Sequence, residues 1–273
     1  MRPLLAPLLL LAAAPAAARA QEEDDGGQRV QRNAFAWEGR VPDGRWLYLR
    51  NLNGGVRVEP GTGDRVVVTA EKRWRRGDPA AVRVVQRAAA DGQGVVVCTV
   101  YEGGTCDERD YQSGKSGGRW WGGNNDDVSV SYTVRVPRGV RLDLQTTNGG
   151  LDVRGAGGEI VGRTTNGGIQ IDGGAGPVRA HTTNGGVAVR LTGLAPAGDF
   201  DLTTTNGGVS LVVPTALDAE VDMATTNGGV STDFPVTVQG RINPRRLQAT
   251  LGSGGRRVRL RTTNGGVSLR RAS

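Results

Sequence analysis

The pentapeptide TTNGG begins at residues 146, 164, 182, 204, 225 and 262, and each of these six copies is followed by Leu, Ile or Val. A corner written this often in one chain makes a repeat architecture the first question to settle. The central asparagines are Asn148, Asn166, Asn184, Asn206, Asn227 and Asn264, separated by 18, 18, 22, 21 and 37 residues.

Offsets from each asparagine set the geometry. Six and four residues before it come pairs such as Leu142/Leu144, Ile160/Gly162, Phe200/Leu202 and Val258/Leu260. Two before it there is always Thr. Three and five after it come pairs such as Leu151/Val153, Ile169/Ile171 and Val209/Leu211. These offsets share one face of a period-2 strand, and the positions between them are mostly polar. Each repeat is therefore two half-buried strands around an Asn-Gly corner. Glycine and asparagine suit such a corner because they tolerate positive φ best.

Two all-β architectures place that corner along one edge. In a β-solenoid, coils stack in parallel about 4.8 Å apart, with rows of Thr and Asn and a continuous apolar interior. In an antiparallel meander or sandwich, each Asn-Gly is a type I′ hairpin. Identical residues at identical offsets favour the solenoid, because like side chains pair well when coils are in register. A weaker copy, WLYLRNLNGGVRVEPG, places Asn53 at a seventh corner with Leu47, Leu49, Val56 and Val58 at the same offsets. Strand-like runs at 64–74, 81–88, 94–101 and 127–136 read as antiparallel hairpins that cap the array, and 107–127 as an exposed loop. The GSGG at 252–255 marks an additional corner.

The expected organisation is a signal peptide over 1–20, a mobile leader over 21–33, an N-terminal antiparallel β region over 34–139, and an NGG-repeat solenoid over 140–273. The opening MRPLLAPLLLLAAAPAAARA has an apolar run broken by prolines and ends in small residues, the pattern of an exported chain. No later apolar stretch is long enough to span a bilayer. The chain holds 44 glycines and 4% aromatics, which would suit disorder if the glycines were scattered; their regular placement at corners argues for order. Cys98 and Cys106 flank a Gly-rich turn, and in an exported chain that spacing reads as a disulfide at the end of a hairpin.

These features together carry a resemblance. The strand–NGG–strand units behind a signal peptide, the stretches AEKRWRRGDPAAVRV and SYTVRVPRGVRL, and the closing FPVTVQGRINPRRLQATLGSGGRRVRLRTTNGGVSLRR resemble a bacterial β-strand-repeat family, a domain of unknown function that carries an adhesin label. The resemblance covers most of residues 34–271. It implies an extracytoplasmic, β-solenoid-like envelope protein and supplies no catalytic motif to transfer.

Candidate chemistry is sparse. The single histidine, His181, falls on an outer face with Arg163 and Thr203 as column neighbours, and no carboxylate is placed to orient it. One His and two bridged Cys leave a zinc site without ligands, and no cofactor is expected. Asp199 and Asp201 hold the same offsets as Glu220 and Asp222, so stacking would gather four acids on one outer face, a candidate cation cluster on a flat surface. The asparagine side chains are expected to satisfy their own corners. The formal net charge is +7, and residues 241–273 carry nine Arg and no acid, which makes Arg256, Arg257, Arg259 and Arg261 the candidate contacts for a polyanion or acidic glycan. That segment has no aromatic for base stacking, so no specific nucleic-acid partner is expected. The expected function is a non-enzymatic, periplasmic or extracellular structural or adhesin-like module facing an envelope glycan or protein. A polyanion binder is the first alternative and a polysaccharide-active enzyme the more distant one.

Overall fold

The computed structural model describes residues 22–23, 28–114, 127–214, 216–236 and 243–272. The expected signal peptide, residues 21 and 24–27 of the leader and most of the 107–127 loop lie outside them. The described residues form strands, with a single 3-10 turn at Pro79–Ala81. No helix among them is long and apolar enough to cross a membrane.

The strands preceding the corners, Trp46–Arg50, Arg141–Gln145, Ile160–Asn166, Val178–Asn184 and Phe200–Asn206, pair in parallel in chain order. Those following the corners, Val56–Pro60, Leu151–Arg154, Ile169–Asp172, Val187–Arg190 and Val209–Val213, do the same in a second sheet. The register sets Asn166 opposite Asn184 and Asn184 opposite Asn206, as stacked coils require. Parallel pairing throughout makes this a solenoid-like array and excludes the hairpin meander.

The corner sequence has a reason at each position. The Thr two residues before each Asn is buried, and its hydroxyl donates to a glycine carbonyl of the neighbouring coil, as in Thr164 Oγ1 to Gly149 O at 2.8 Å and Thr204 Oγ1 to Gly185 O at 2.7 Å. At the Asn53 corner Asn51 takes this place, and its Nδ2 donates to Gly54 O and Val130 O. A side chain on the first glycine has no room, because a Cβ on Gly185 would stand 2.2 Å from Gly167 O. Between the sheets, Leu142, Leu144, Leu202, Leu211, Leu260 and Leu269 are fully buried. Gly162 occupies an inner position without leaving a void, since Leu151 and Ile169 reach the space that its Cβ would fill.

Chain order and stacking order part company at the end. The last coil, Arg256–Asn264 with Val267–Arg271, pairs with the Asn206 coil, and Ala219–Asn227 with Val230–Thr232 lies on its far side. Arg246–Leu251 runs antiparallel along the outer edge of Ala219–Asn227. The turn at 252–255 then carries the chain across the end of that strand, where Asp218 Oδ1 accepts from Ser253 N at 2.8 Å. The long interval before Asn264 is used for this crossing.

The N-terminal cap is mixed. Arg65–Trp74 pairs antiparallel with both Arg29–Arg40 and Ser129–Val136, and Arg83–Ala88 with Gly94–Val100. Ser129–Val136 and Gly94–Val100, however, pair in parallel with the Asn53 coil and so extend the two sheets of the stack. One apolar cluster runs from Val41 to Leu269, across the expected division between 139 and 140. Residues 29–33, expected in the mobile leader, begin a strand because Val30 is buried against the cap, 3% exposed.

Cys98 and Cys106 are joined in a disulfide. They sit in a second small cluster with Tyr48, Val96 and Val100, where the segment 101–114 covers the outside of the sheet. Burial, and after it Asp91, pushes the Tyr48 hydroxyl up to about 12. Beneath the same segment Arg50 is buried, with Nη1 2.8 Å from Asp143 Oδ1 and Nη2 donating to Glu108 O at 2.8 Å. A loop this short contributes about 2–3 kcal/mol when closed by a disulfide. Reduction is therefore expected to lower the unfolding free energy of the native chain by that amount, and its urea midpoint with it, while the Cys98→Ser/Cys106→Ser variant starts lower and ignores the reductant. Equal midpoints with and without reductant in the native chain would contradict this.

Candidate functional site

Three surfaces carry the residues singled out by the sequence. The first is the corner edge, where the side chains of Asn53, Asn148, Asn166, Asn184, Asn206, Asn264 and Asn227 form one ladder in that stacking order. Each Nδ2 donates to the Oδ1 of the preceding rung at 2.7–2.8 Å, from Asn148 onto Asn53 through to Asn227 onto Asn264. The amides therefore bond along the stack instead of each capping its own turn. The spacing of parallel strands, about 4.8 Å, lets planar amides meet edge to edge.

The second surface is the outside of the sheet that follows the corners. There the second glycines of the corners, among them Gly150, Gly168, Gly186, Gly208 and Gly266, line an open trough of about 1060 Å³ that crosses all seven coils. At the parallel spacing this is about 30 Å long. Register places Arg57, Asp152 and Gln170 along the capped end and Ala188, Ser210, Ser268 and Ser231 along the distal end. Arg57 and Arg154 both meet Asp152, at 3.6 and 3.1 Å. The distal floor is thus built of small side chains, with the charged Arg270 beside them. The outward offsets were legible in the sequence, but a trough follows only once neighbouring coils are in register.

The third surface is the outside of the other sheet, where the candidate acids and arginines meet. Asp199 and Asp201 do not stack on Glu220 and Asp222, because the last coil intervenes and sets Arg259 between Asp201 and Asp222. Arg259 Nη1 lies 3.9 Å from Asp201, Arg261 pairs with Asp222, and the backbone N–H of Arg257 donates to Asp199 Oδ1 at 2.9 Å. The expected acid cluster is replaced by alternating charge. Direct stacking would have set like charges opposite one another, which is destabilising. No group of three or more His, Cys, Asp or Glu side chains able to hold a metal ion occurs among the described residues.

The same insertion disperses the expected basic end. Arg256 lies over the Phe200 ring at 5.7 Å and donates to Ala195 O at 2.8 Å. Arg257 faces Glu220 and Arg259 lies between Asp201 and Asp222 in the register, while Arg261, set between Thr203 and Ala224, reaches across to Asp222, so carboxylates adjoin all three. His181 is exposed, with Arg163 and Thr203 beside it in register as expected, and its Nδ1 is 2.8 Å from the Thr203 hydroxyl.

A stack of parallel two-stranded coils with one amide ladder along its corners defines a β-solenoid-like repeat protein. Residues 122–270 match the family Toastrack DUF4097, and the chain belongs to it. Among solved structures it is similar to a "putative cell adhesion protein" from Clostridium sporogenes, with 8% identity, 87% of this chain and 99% of that one covered, and a TM-score of 0.40. It is also similar to a "putative adhesin" from Bacteroides fragilis, with 9% identity, 87% and 96% covered, and a TM-score of 0.40. Similarity at that level carries no argument about what this chain binds. Comparison with curated proteins gives no match.

Proposed function

We propose that the chain is a non-enzymatic, extracytoplasmic structural or adhesin-like module of the cell envelope, which meets an extended glycan or protein segment through the trough over its corners. The observation that carries this reading is the register of the coils. It repeats the same outward positions rung after rung, so a partner with its own repeat gains many weak contacts at once. The disulfide supports an oxidising compartment outside the cytoplasm. The surroundings of the titratable groups support the non-enzymatic part, since His181 leans on a threonine hydroxyl and the outer acids Asp201 and Asp222 face arginines.

The test fills the trough. Ala188 and Ser210 project outward from adjacent rungs, so Ala188→Trp with Ser210→Trp leaves the core untouched. This double variant is expected to melt near the native temperature and to lose at least tenfold in binding to purified envelope material in a sedimentation assay, on the scale of one lost central contact. Binding at native strength by the folded double variant would remove the trough from the proposal. Release of new reducing ends from an envelope polysaccharide by the native chain, absent in a matched Asp201→Ala/Asp222→Ala variant, would overturn its non-enzymatic part.

A further inference from the structure

We propose that Asn227 is a self-modifying site, the one corner at which the Asn-Gly bond is free to deamidate in the folded protein. The chemistry belongs to the dipeptide. The backbone nitrogen of the glycine attacks Cγ of the preceding asparagine, the new N–Cγ bond closes a succinimide, and the Cγ–Nδ2 bond breaks. Ammonia leaves with the proton that the nitrogen has lost. Water then opens the ring to an aspartyl or isoaspartyl linkage, so water is the only co-reactant. Local sequence does not separate the corners, because six of them share the pentapeptide TTNGG and have the same intrinsic reactivity; any difference among them reports the structure.

The stack holds the other corners in two ways. The attacking nitrogen is tied to the next rung, with Gly149, Gly167, Gly185, Gly207 and Gly265 each donating to the carbonyl of the following Asn at 2.8–2.9 Å. The amide under attack is held on both faces by the ladder, through Nδ2 to one neighbour and Oδ1 from the other. Ring closure has to break the first bond and turn the amide out of the second and third.

Asn227 ends the ladder. No further coil follows it, so its Oδ1 receives no donor and Gly228 N–H has no acceptor among the described residues. Only its Nδ2 is tied, to Asn264 at 2.8 Å. Gly228 is also exposed, whereas the first glycine of each other corner is partly buried. The inserted last coil decides which corner this is, because Asn264 has neighbours on both sides although it comes last in the chain.

The experiment ages the full-length native protein in mildly alkaline buffer and follows each corner by peptide mapping and mass spectrometry, with a parallel sample in denaturant. Residue 227 is expected to convert at least about tenfold faster than the other five TTNGG asparagines in the native sample, because two of the three hydrogen bonds that hold those corners are missing there. In denaturant the six should convert at equal rates. Asn227→Ser should abolish the early mass gain of the intact chain. Conversion of residue 227 no faster than its counterparts in the native sample, or an early mass gain that survives Asn227→Ser, would overturn the proposal.

Discussion

Gly207→Ala is expected to destabilise the protein by about 2–4 kcal/mol, while Gly208→Ala, one residue later, costs less than about 1 kcal/mol. The two glycines of the corner look equivalent in sequence but meet different surroundings. A Cβ on Gly207 would lie 2.2 Å from Gly185 O, at a φ of +153° that side-chain-bearing residues rarely adopt. The rung cannot slide away, because Gly207 N donates to Asn264 O on one side and Gly185 N donates to Asn206 O on the other. A Cβ on Gly208 would lie 3.5 Å from Gly266 O, an ordinary contact, and would point toward the trough. Urea unfolding of the two variants under identical conditions measures the contrast. Equal losses would mean that the corners are held by something other than the close approach of their backbones.

The architecture was legible because its signals are local and recur. The alternation of Leu142, Leu144, Leu151 and Val153 fixes the buried faces without knowledge of any partner strand, and repetition of Thr and Asn at one offset makes sense only for coils in register. The order of the last two coils was not legible from that pattern, since any TTNGG coil presents the same Thr, Asn and glycines to any other. What separates them is charge. Arg257, Arg259 and Arg261 occupy the row positions that face Glu220, Asp222 and Ala224, and the 37-residue interval gives the chain length to return. Together these marked an inserted coil. In the cap, Gly94–Val100 and Ser129–Val136 lack a corner motif, and nothing in their composition distinguishes a parallel neighbour from a hairpin partner. The trough is a property of assembled coils, so its floor of second glycines acquires meaning only from the register.

Because the last coil is wedged inside the stack, Leu260→Asp is expected to release more than its own strand. Leu260 is fully buried between Leu202 and Met223 in the register. An unpaired carboxylate there costs about 3–5 kcal/mol or takes up a proton at a comparable penalty. In a repeat array each unit is stabilised by its immediate neighbours. Among the described residues, the Ala219–Asn227 and Val230–Thr232 strands are linked by strand pairing to the Asn206 coil only through residues 256–271. Loss of that wedge therefore strands them, together with Arg246–Leu251 at their edge. Hydrogen exchange should show residues 219–232 and 246–271 losing protection together, while 141–190 keep theirs next to the N-terminal cap. If the coils instead packed in chain order, the same substitution would fray only 256–271 and leave 219–232 protected. Peptide-resolved exchange on the full-length variant distinguishes the two outcomes, and protection retained at Val221 and Met223 would refute the inserted order.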